Sequence, residues 1–502
     1  MSPAWAEAFR LVFDPYNVLI MMGASLFGLF VGAVPGLTAT MATALLVPVT
    51  FFMAPIPAIA AIVTATAMAI FSGDIPGCLL RMPGTPASAA YTDEAYAMTR
   101  KGRAEMALGA GLFFSALGGL FGTAVLIVAA PALADFALNF SSFEYFWLVL
   151  LGLSCAVFIS GAQVTKGIAA LLFGLLISCV GLQNPAGVPR FTFGSVDLMG
   201  GINAINVMVG LFAVSEVMRN VLAVHQPVEV ARRPAGNVLA GQLKLLFDYP
   251  KSFLRGSVLG TVIGILPGAG ADIAAWMSYA VSKRFSRTPE KFGTGHVEGI
   301  IESGSANNSA LAGAWVPALV FGIPGDSITA IAIGVLYLKG LNPGPTLFIE
   351  QAPQMYAIFL IFILANIIMI PLGLATIRAA RQILLLPRNL LSPTILMFCI
   401  VGAFAIENSL LGVLVILVFG VIGFVMEENG FPVAPLILGL ILGPMLEDHF
   451  FTSMIKADGN LLVFFERPIA GTLGVLAVAI WALVLLAGVR RAFTSAPRPS
   501  VR

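Results

Sequence analysis

The stretch Glu298–Ala330, EGIIESGSANNSALAGAWVPALVFGIPGDSITA, decides how this chain must fold. It is largely apolar, yet it carries Glu298, Glu302, Asn307, Asn308, Ser309, Asp326, Ser327 and Thr329, with prolines at 317 and 324. A helix surrounded by lipid is not written this way. Polar side chains taken out of water need partners, and backbone freed at a proline must be satisfied inside protein or along a cavity. Two readings follow: a re-entrant packing element whose Asn and Ser bond neighbouring helices, or a binding element.

The stretch has a twin. Residues 65–90, ATAMAIFSGDIPGCLLRMPGTPASAA, align without a gap to 306–331, ANNSALAGAWVPALVFGIPGDSITAI. Pro76 falls on Pro317, Pro83-Gly84 on Pro324-Gly325, and Ser88 on Thr329. Upstream, Gly28, Gly32, Pro35 and Gly36 match Gly260, Gly264, Pro267 and Gly268, both as GxxxGxxPG. Paired hydrophobic segments interrupted by Gly and Pro at corresponding places point to the binding site of a transporter.

Working outward, the composition fixes the class. Of 502 residues 59% are hydrophobic and 10% charged, against about a quarter charged in soluble domains. No Asp, Glu, Lys or Arg lies between Asp14 and Asp74, Glu105 and Asp135, Glu350 and Arg378, or Arg467 and Arg490. A helix needs ~20 apolar residues to cross the ~30 Å hydrocarbon core. The fold class expected is an all-α polytopic membrane protein with two inverted repeats, broken or re-entrant helices and about ten to twelve membrane segments. The net charge of +2 gives no argument for nucleic acid. Cys78, Cys155, Cys179 and Cys399 are scattered through apolar segments and read as small hydrophobes.

In order, residues 1–14 form an interfacial amphipathic helix and 15–224 the first repeat half. Residues 225–252 form a cytoplasmic linker, 253–489 the second half and 490–502 a cytoplasmic tail. A helix is expected over 86–99, and spans near 105–133, 143–160, 166–182, 202–224, 354–377, 391–406, 410–426, 432–447 and 469–489. Basic residues favour the cytoplasm, which places there the loops around 100–103, 166, 225–252 and 378–388 and the tail from Arg490. The two repeats then cross the membrane in opposite senses, with a site near the midplane. Segments 183–201 and 449–468 face the other side and carry aromatic or polar residues (Phe191, Phe193, Arg190; Phe450, Phe451, Lys456, Asp458) beyond what a minimal turn requires.

Enzyme chemistry is missing from the sequence: there is no GxxxxGK[ST] loop, no HExxH, and His225, His296 and His449 are too scattered for a metal site. The polar pieces suit an anion instead. A Pro-Gly break frees backbone N–H groups at the start of the following half-helix, whose positive dipole end attracts carboxylates. The expected substrate residues are Pro83, Gly84, Thr85, Ser88, Asn307, Asn308, Pro324, Gly325, Ser327 and Thr329. Thr38, Asp272, Ser309 and Asp326 are assigned to cation coupling, and Asn307 and Asn308 could hold either species. Asp326 as a carboxylate would repel the substrate unless it ligates the cation or is protonated.

GLFVGAVPGLTATMATALLVPVT, PGTPASAAYTDEAYAMTRKGRAEMALG, GTVIGILPGAGADIAAWMSYAVSKRF and ESGSANNSALAGAWVPALVFGIPGDS occur in order. With them nearly the whole chain resembles the large membrane subunit of the tripartite tricarboxylate transporters. The resemblance implies a secondary transporter of the bacterial inner membrane that takes up a citrate-like di- or tricarboxylate. It implies a small membrane subunit of about four helices, a periplasmic solute-binding protein, no cofactor, and Na+ or H+ as coupling ion. Asp272, in PGAGAD, departs from the small or hydroxylated residue expected there, opposite Thr40.

A membrane-embedded enzyme using Glu298, Glu302 or Asp272 is the reading from another class, and it would need an acid–base pair that the sequence lacks. A passive channel is the third, and the paired helix breaks argue against it.

Overall fold

The computed structural model describes residues 3–159, 164–182, 184, 187–222, 237–384 and 388–494. His225, Arg232, Arg233 and the tail after Thr494 lie outside the described residues. The described residues are helical, with a single antiparallel bridge, Gly181–Arg190, and no longer strand.

The first half opens with α1 (Pro3–Val12) and α2 (Pro15–Ala33). Asp14 starts α2 by accepting from Tyr16 N–H at 3.0 Å, with Pro15 at the first helical position. Then come α3 (Ala39–Phe51), α4 (Pro55–Ser72), α5 (Asp74–Leu80), α6 (Thr92–Arg100) and α7 (Ala104–Ala137). The helix expected over 86–99 is shorter, because Pro86 and a cap between Thr85 and Ser88 turn the chain into one 3-10 turn at Ser88–Ala90 before α6. Next are α8 (Ser142–Ile159), α9 (Val164–Ser178), and α10 (Ala204–Val209), joined to α11 (Ser215–Leu222) through a π turn at Gly210–Val214.

The second half contains α12 (Gln242–Asp248), α13 (Pro250–Ile265), α14 (Gly270–Phe285), α15 (Val297–Phe321), α16 (Ser327–Leu338) and α17 (Leu347–Glu350). It closes with α18 (Ala352–Leu384), α19 (Arg388–Glu407), α20 (Leu410–Glu428), α21 (Val433–Lys456) and α22 (Pro468–Thr494). Among the described residues seven helices are long and apolar enough to cross a membrane, and six shorter apolar helices accompany them. This is a multi-pass membrane protein. Helix α21 runs to Lys456, past the boundary expected near 447, because the Glu447 carboxylate is neutralised by Arg190 at 2.8 Å and does not end the helix.

The chain divides into two compact units, each drawing on both sequence halves. The first holds residues 1–138 and 205–424, the second 139–204 and 425–502. In the first unit every residue of α15 is buried, Glu298 and Glu302 included, and so is every residue of α4 from Ile56 to Ser72. A helix covered on all sides belongs to the core. Glycines make the close approach possible: a Cβ at Gly28 would lie 2.1 Å from Ala65 O, and one at Gly260 would lie 2.3 Å from Ala306 O. The long α7 and α18 lie against these cores, α7 on α15 and α18 on α4.

The second unit has its own core of Phe143, Trp147, Ala457, Phe464, Ala470 and Ala477. Trp147 Nε1 donates to Phe464 O at 3.0 Å, and Arg467 pairs with the buried Glu144 at 2.8 Å. Glu447 accepts both Arg190 NH groups at 2.8 Å and so holds that guanidinium above its ordinary pKa.

Candidate substrate and cation sites

The two Pro-Gly tips are built alike to the level of single hydrogen bonds. α5 ends at Arg81, in the left-handed conformation at φ 59°, with Arg81 N–H on Gly77 O (3.1 Å) and Met82 N–H on Pro76 O (3.4 Å). α15 ends at Gly322, φ 67°, with Gly322 N–H on Ala318 O (3.2 Å) and Ile323 N–H on Pro317 O (3.3 Å). Both are helix ends that use a left-handed residue to satisfy the last carbonyls. A Cβ at Gly84 would sit 2.7 Å from Gly32 O, and one at Gly325 would sit 2.7 Å from Gly264 O. The upstream turns repeat too: Val34 N–H bonds Val31 O (3.2 Å), Leu266 N–H bonds Ile263 O (3.1 Å), and Gly36 and Gly268 take φ 90° and 81°.

The residues after the tips cap one another. Thr85 N–H donates to Ser88 Oγ and Ser88 N–H to Thr85 Oγ1, both at 3.1 Å. At the matching positions Asp326 N–H donates to Thr329 Oγ1 (2.9 Å) and Thr329 N–H to Asp326 Oδ1 (2.8 Å). Sequence reasoning cast Thr85, Ser88 and Thr329 as free hydroxyl donors and Asp326 as an awkward charge. In the structure each is half of a reciprocal cap, and Asp326 is the cap residue at the start of α16.

Helix α14 brings the tips together. Trp276 Nε1 donates to Pro86 O at 3.2 Å, and the exposed Asp272 carboxylate lies against the Ala87 N–H. A turn earlier, Gly270 packs on Asp326, whose carboxylate also lies against the Ala271 N–H. Asp272 and Asp326 therefore flank the α14 N-terminus, each on backbone N–H groups of the kind that bind a carboxylate. Ser327 is half-buried at the same place.

The remaining candidates sit apart from the tips. Thr38 caps α3, its hydroxyl accepting from Met41 N–H at 3.2 Å. Ser309 Oγ donates to Ser257 O at 3.0 Å and ties α15 to α13. Asn308 is buried, and its amide reaches Met369 Sδ at 3.6 Å. Asn307 is buried with its amide beside the Tyr91 hydroxyl and no other hydrogen-bond partner.

The enzyme reading fails on its own residues. Glu302 is held bidentately by Arg255, with Nε at 2.6 Å, and Glu298 accepts from Ser252 (2.8 Å) and Ser286 (2.6 Å). Both are closed structural pairs. Among the described residues no three His, Cys, Asp or Glu gather as a metal site.

Sequence reasoning missed four polar residues in the first unit, Asp74, Tyr91, Glu94 and Asn220. Asp74 is buried and accepts from Tyr91 Oη at 2.6 Å. Glu94, fully buried, accepts from Gly295 N–H (2.7 Å), His296 N–H (2.8 Å), Gly293 N–H and Tyr279 Oη (2.9 Å). It fastens the first half to the entry of α15. Asn220 Nδ2 donates to Gly36 O at 3.2 Å and holds the first Pro-Gly turn. Of the four, only Asp74 stood in a segment whose polarity was visible, GDIPG.

These features define a polytopic helical membrane protein with two matching Pro-Gly tips, and the family it matches is one of transporters, not of enzymes. The chain belongs to the TctA family of the tripartite tricarboxylate transporters, which it matches over residues 18–438. Such systems combine the large subunit with a small membrane subunit and a periplasmic binding protein. It is 34% identical over 485 residues, 96% of either chain, to an uncharacterised 52.8 kDa protein of Agrobacterium vitis encoded in the TAR-I ttuC′ 3′ region. It is 36% identical to a second uncharacterised Agrobacterium vitis protein, from the TAR-II ttuC′ 3′ region, over 46% of this chain and 96% of that protein. No solved structure matches it.

Proposed function

We propose that the chain is the large subunit of a cation-coupled importer in a bacterial inner membrane. It takes up a citrate-like di- or tricarboxylate handed over by a periplasmic binding protein, with a small subunit of about four helices beside it and Na+ or H+ as coupling ion. The observation that carries this reading is the duplicated tip: two breaks with matching hydrogen bonds, each packed against α14. Backbone N–H groups of two tips can share one multivalent anion. Asp272 and Asp326 stand on the same amides, so a cation carried with the substrate would screen them there.

The repeats are read as inverted, with a site near the midplane. Support comes from what meets at the two ends of the core helices. Lys339 Nζ bonds Phe51 O (2.8 Å) and Met53 O (2.7 Å), while Gly344 N–H bonds Leu319 O (2.9 Å), so the start of α4 lies near the end of α15. At the other end, Glu94 beyond α5 holds the residues that lead into α15.

The test is uptake of labelled citrate by vesicles holding both membrane subunits, with and without a sodium gradient and with and without binding protein. Uptake that needs the gradient and the binding protein supports the reading. Conversion of citrate to a product, or equal flux without any gradient, would sink it.

A further inference from the structure

The geometry points to a monovalent-cation site, of Na+ size, built on Asp74, Tyr91 and Asn307. It is distinct from the Asp272–Asp326 pair at the tips. α4 and α5 join at Gly73, which keeps helical φ −60° and ψ −18°, and Asp74 follows this junction. One carboxylate oxygen accepts from Tyr91 Oη at 2.6 Å, while the other, Oδ2, is buried with no hydrogen-bond partner. Oδ2 lies over the bare Cα of Gly111 in α7, where a Cβ would come within 2.8 Å of it. Asn307, 1% exposed, has its amide within reach of the same tyrosine hydroxyl, and its Oδ1 is buried with no other hydrogen-bond partner.

A carboxylate oxygen and an amide oxygen left unpaired in a protein interior are costly, so a native structure that keeps them together keeps them for an occupant. The donors set its chemistry. One carboxylate with neutral phenol and amide oxygens balances a single positive charge. A divalent ion would ask for more carboxylates, and no such cluster occurs among the described residues. Hard oxygen donors suit a hard cation such as Na+.

The site is joined to the first tip through one residue. Gly73 O accepts the Gly84 N–H at 3.0 Å, and a Cβ on Gly73 would meet Thr85 at 2.7 Å. An ion on Asp74 therefore biases the backbone that positions Pro83–Ser88. This deepens the coupling proposed above and rests on that reading for its role in transport, whereas binding itself is measured without substrate.

The experiment uses the purified full chain and follows its thermal unfolding midpoint as NaCl replaces choline chloride at constant ionic strength. Wild type should gain a saturable, Na+-specific rise. Asp74→Asn should lose it, and Asn307→Ala should need at least tenfold more Na+ for half the rise. Gly111→Ala should do the same by pushing on the carboxylate. The surface variant Asp93→Asn should keep the wild-type response. If Asp74→Asn does not fold, Asn307→Ala and Gly111→Ala decide. A midpoint that ignores Na+ in wild type, or that moves only with pH, overturns the site. So does a wild-type Na+ response in Asn307→Ala and Gly111→Ala. Na+ binding without any citrate uptake would leave this site standing and strike the proposed function.

Discussion

Gly84 and Gly325 occupy the same place in the two halves of the core: each leaves room for a carbonyl oxygen, Gly32 O or Gly264 O, that a Cβ would approach to 2.7 Å. The neighbour is backbone in both cases and cannot swing away. Gly84→Ala and Gly325→Ala should each destabilise the protein by about 1–3 kcal/mol and cut citrate uptake at least tenfold. Gly23→Ala is a control for open space, since nothing lies within 4 Å of a Cβ there. Unfolding midpoints and initial uptake rates of the three variants check this.

Arg81 takes the left-handed backbone that Gly322 takes at the equivalent position, and a side chain is strained there. Its ion pair with Asp93 is exposed on both sides and contributes little. Arg81→Gly should therefore leave stability unchanged or raise it by up to about 1 kcal/mol, whereas Gly322→Ala should lower it by about the same amount. Thermal unfolding of the two variants gives opposite signs on this account.

The cap at Asp326 separates two roles of its carboxylate. Asparagine caps a helix about as well as aspartate, and alanine does not. Asp326→Asn should keep the wild-type midpoint yet change the cation dependence of uptake, while Asp326→Ala should also lose about 1 kcal/mol of stability. Ser88→Ala should lower the midpoint through its cap, and a rise in KM beyond that would mark contact with substrate. An unchanged KM would make Ser88 purely structural.

Glu94 accepts from three backbone N–H groups at the entry to α15 and from Tyr279. Glu94→Ala leaves all of them unpaired in the interior and should cost on the order of 3–5 kcal/mol. Limited proteolysis should then cut near Lys291, which wild type resists. Equal cleavage in both would deny that Glu94 anchors this loop.

In the second unit Phe193 is 91% exposed with φ 49°, on the loop that Arg190 pins to Glu447. An aromatic held outward in a strained conformation suits an interface anchor. Phe193→Ser should weaken binding-protein-dependent uptake several-fold without moving the midpoint. Crosslinks of the binding protein confined to 237–249 would place docking on the opposite side.

What the sequence made legible was the part carried by local chemistry. Charge-free runs marked the long helices, and Pro35-Gly36, Pro83-Gly84, Pro267-Gly268 and Pro324-Gly325 marked the breaks, because proline and glycine act on their own backbone. The roles of side chains beside the breaks were not legible. Whether Ser88 offers its hydroxyl to a ligand or to Thr85 depends on a turn the alignment does not describe. Glu94 was silent because its partners lie about 200 residues away, from Gly293 to His296. Asp74 was passed over as part of a turn, since only packing against Gly111 and Tyr91 shows that it is buried with an oxygen to spare.

The central claim is that one carboxylate substrate lies between the two tips, and Ser327, half-buried at the start of α16, reports on it directly. Ser327→Cys in vesicles should be inactivated by a small anionic thiol reagent, and citrate should slow that inactivation at least tenfold when the binding protein and sodium are present. Inactivation at the same rate with and without citrate, in vesicles that transport it, would contradict the account.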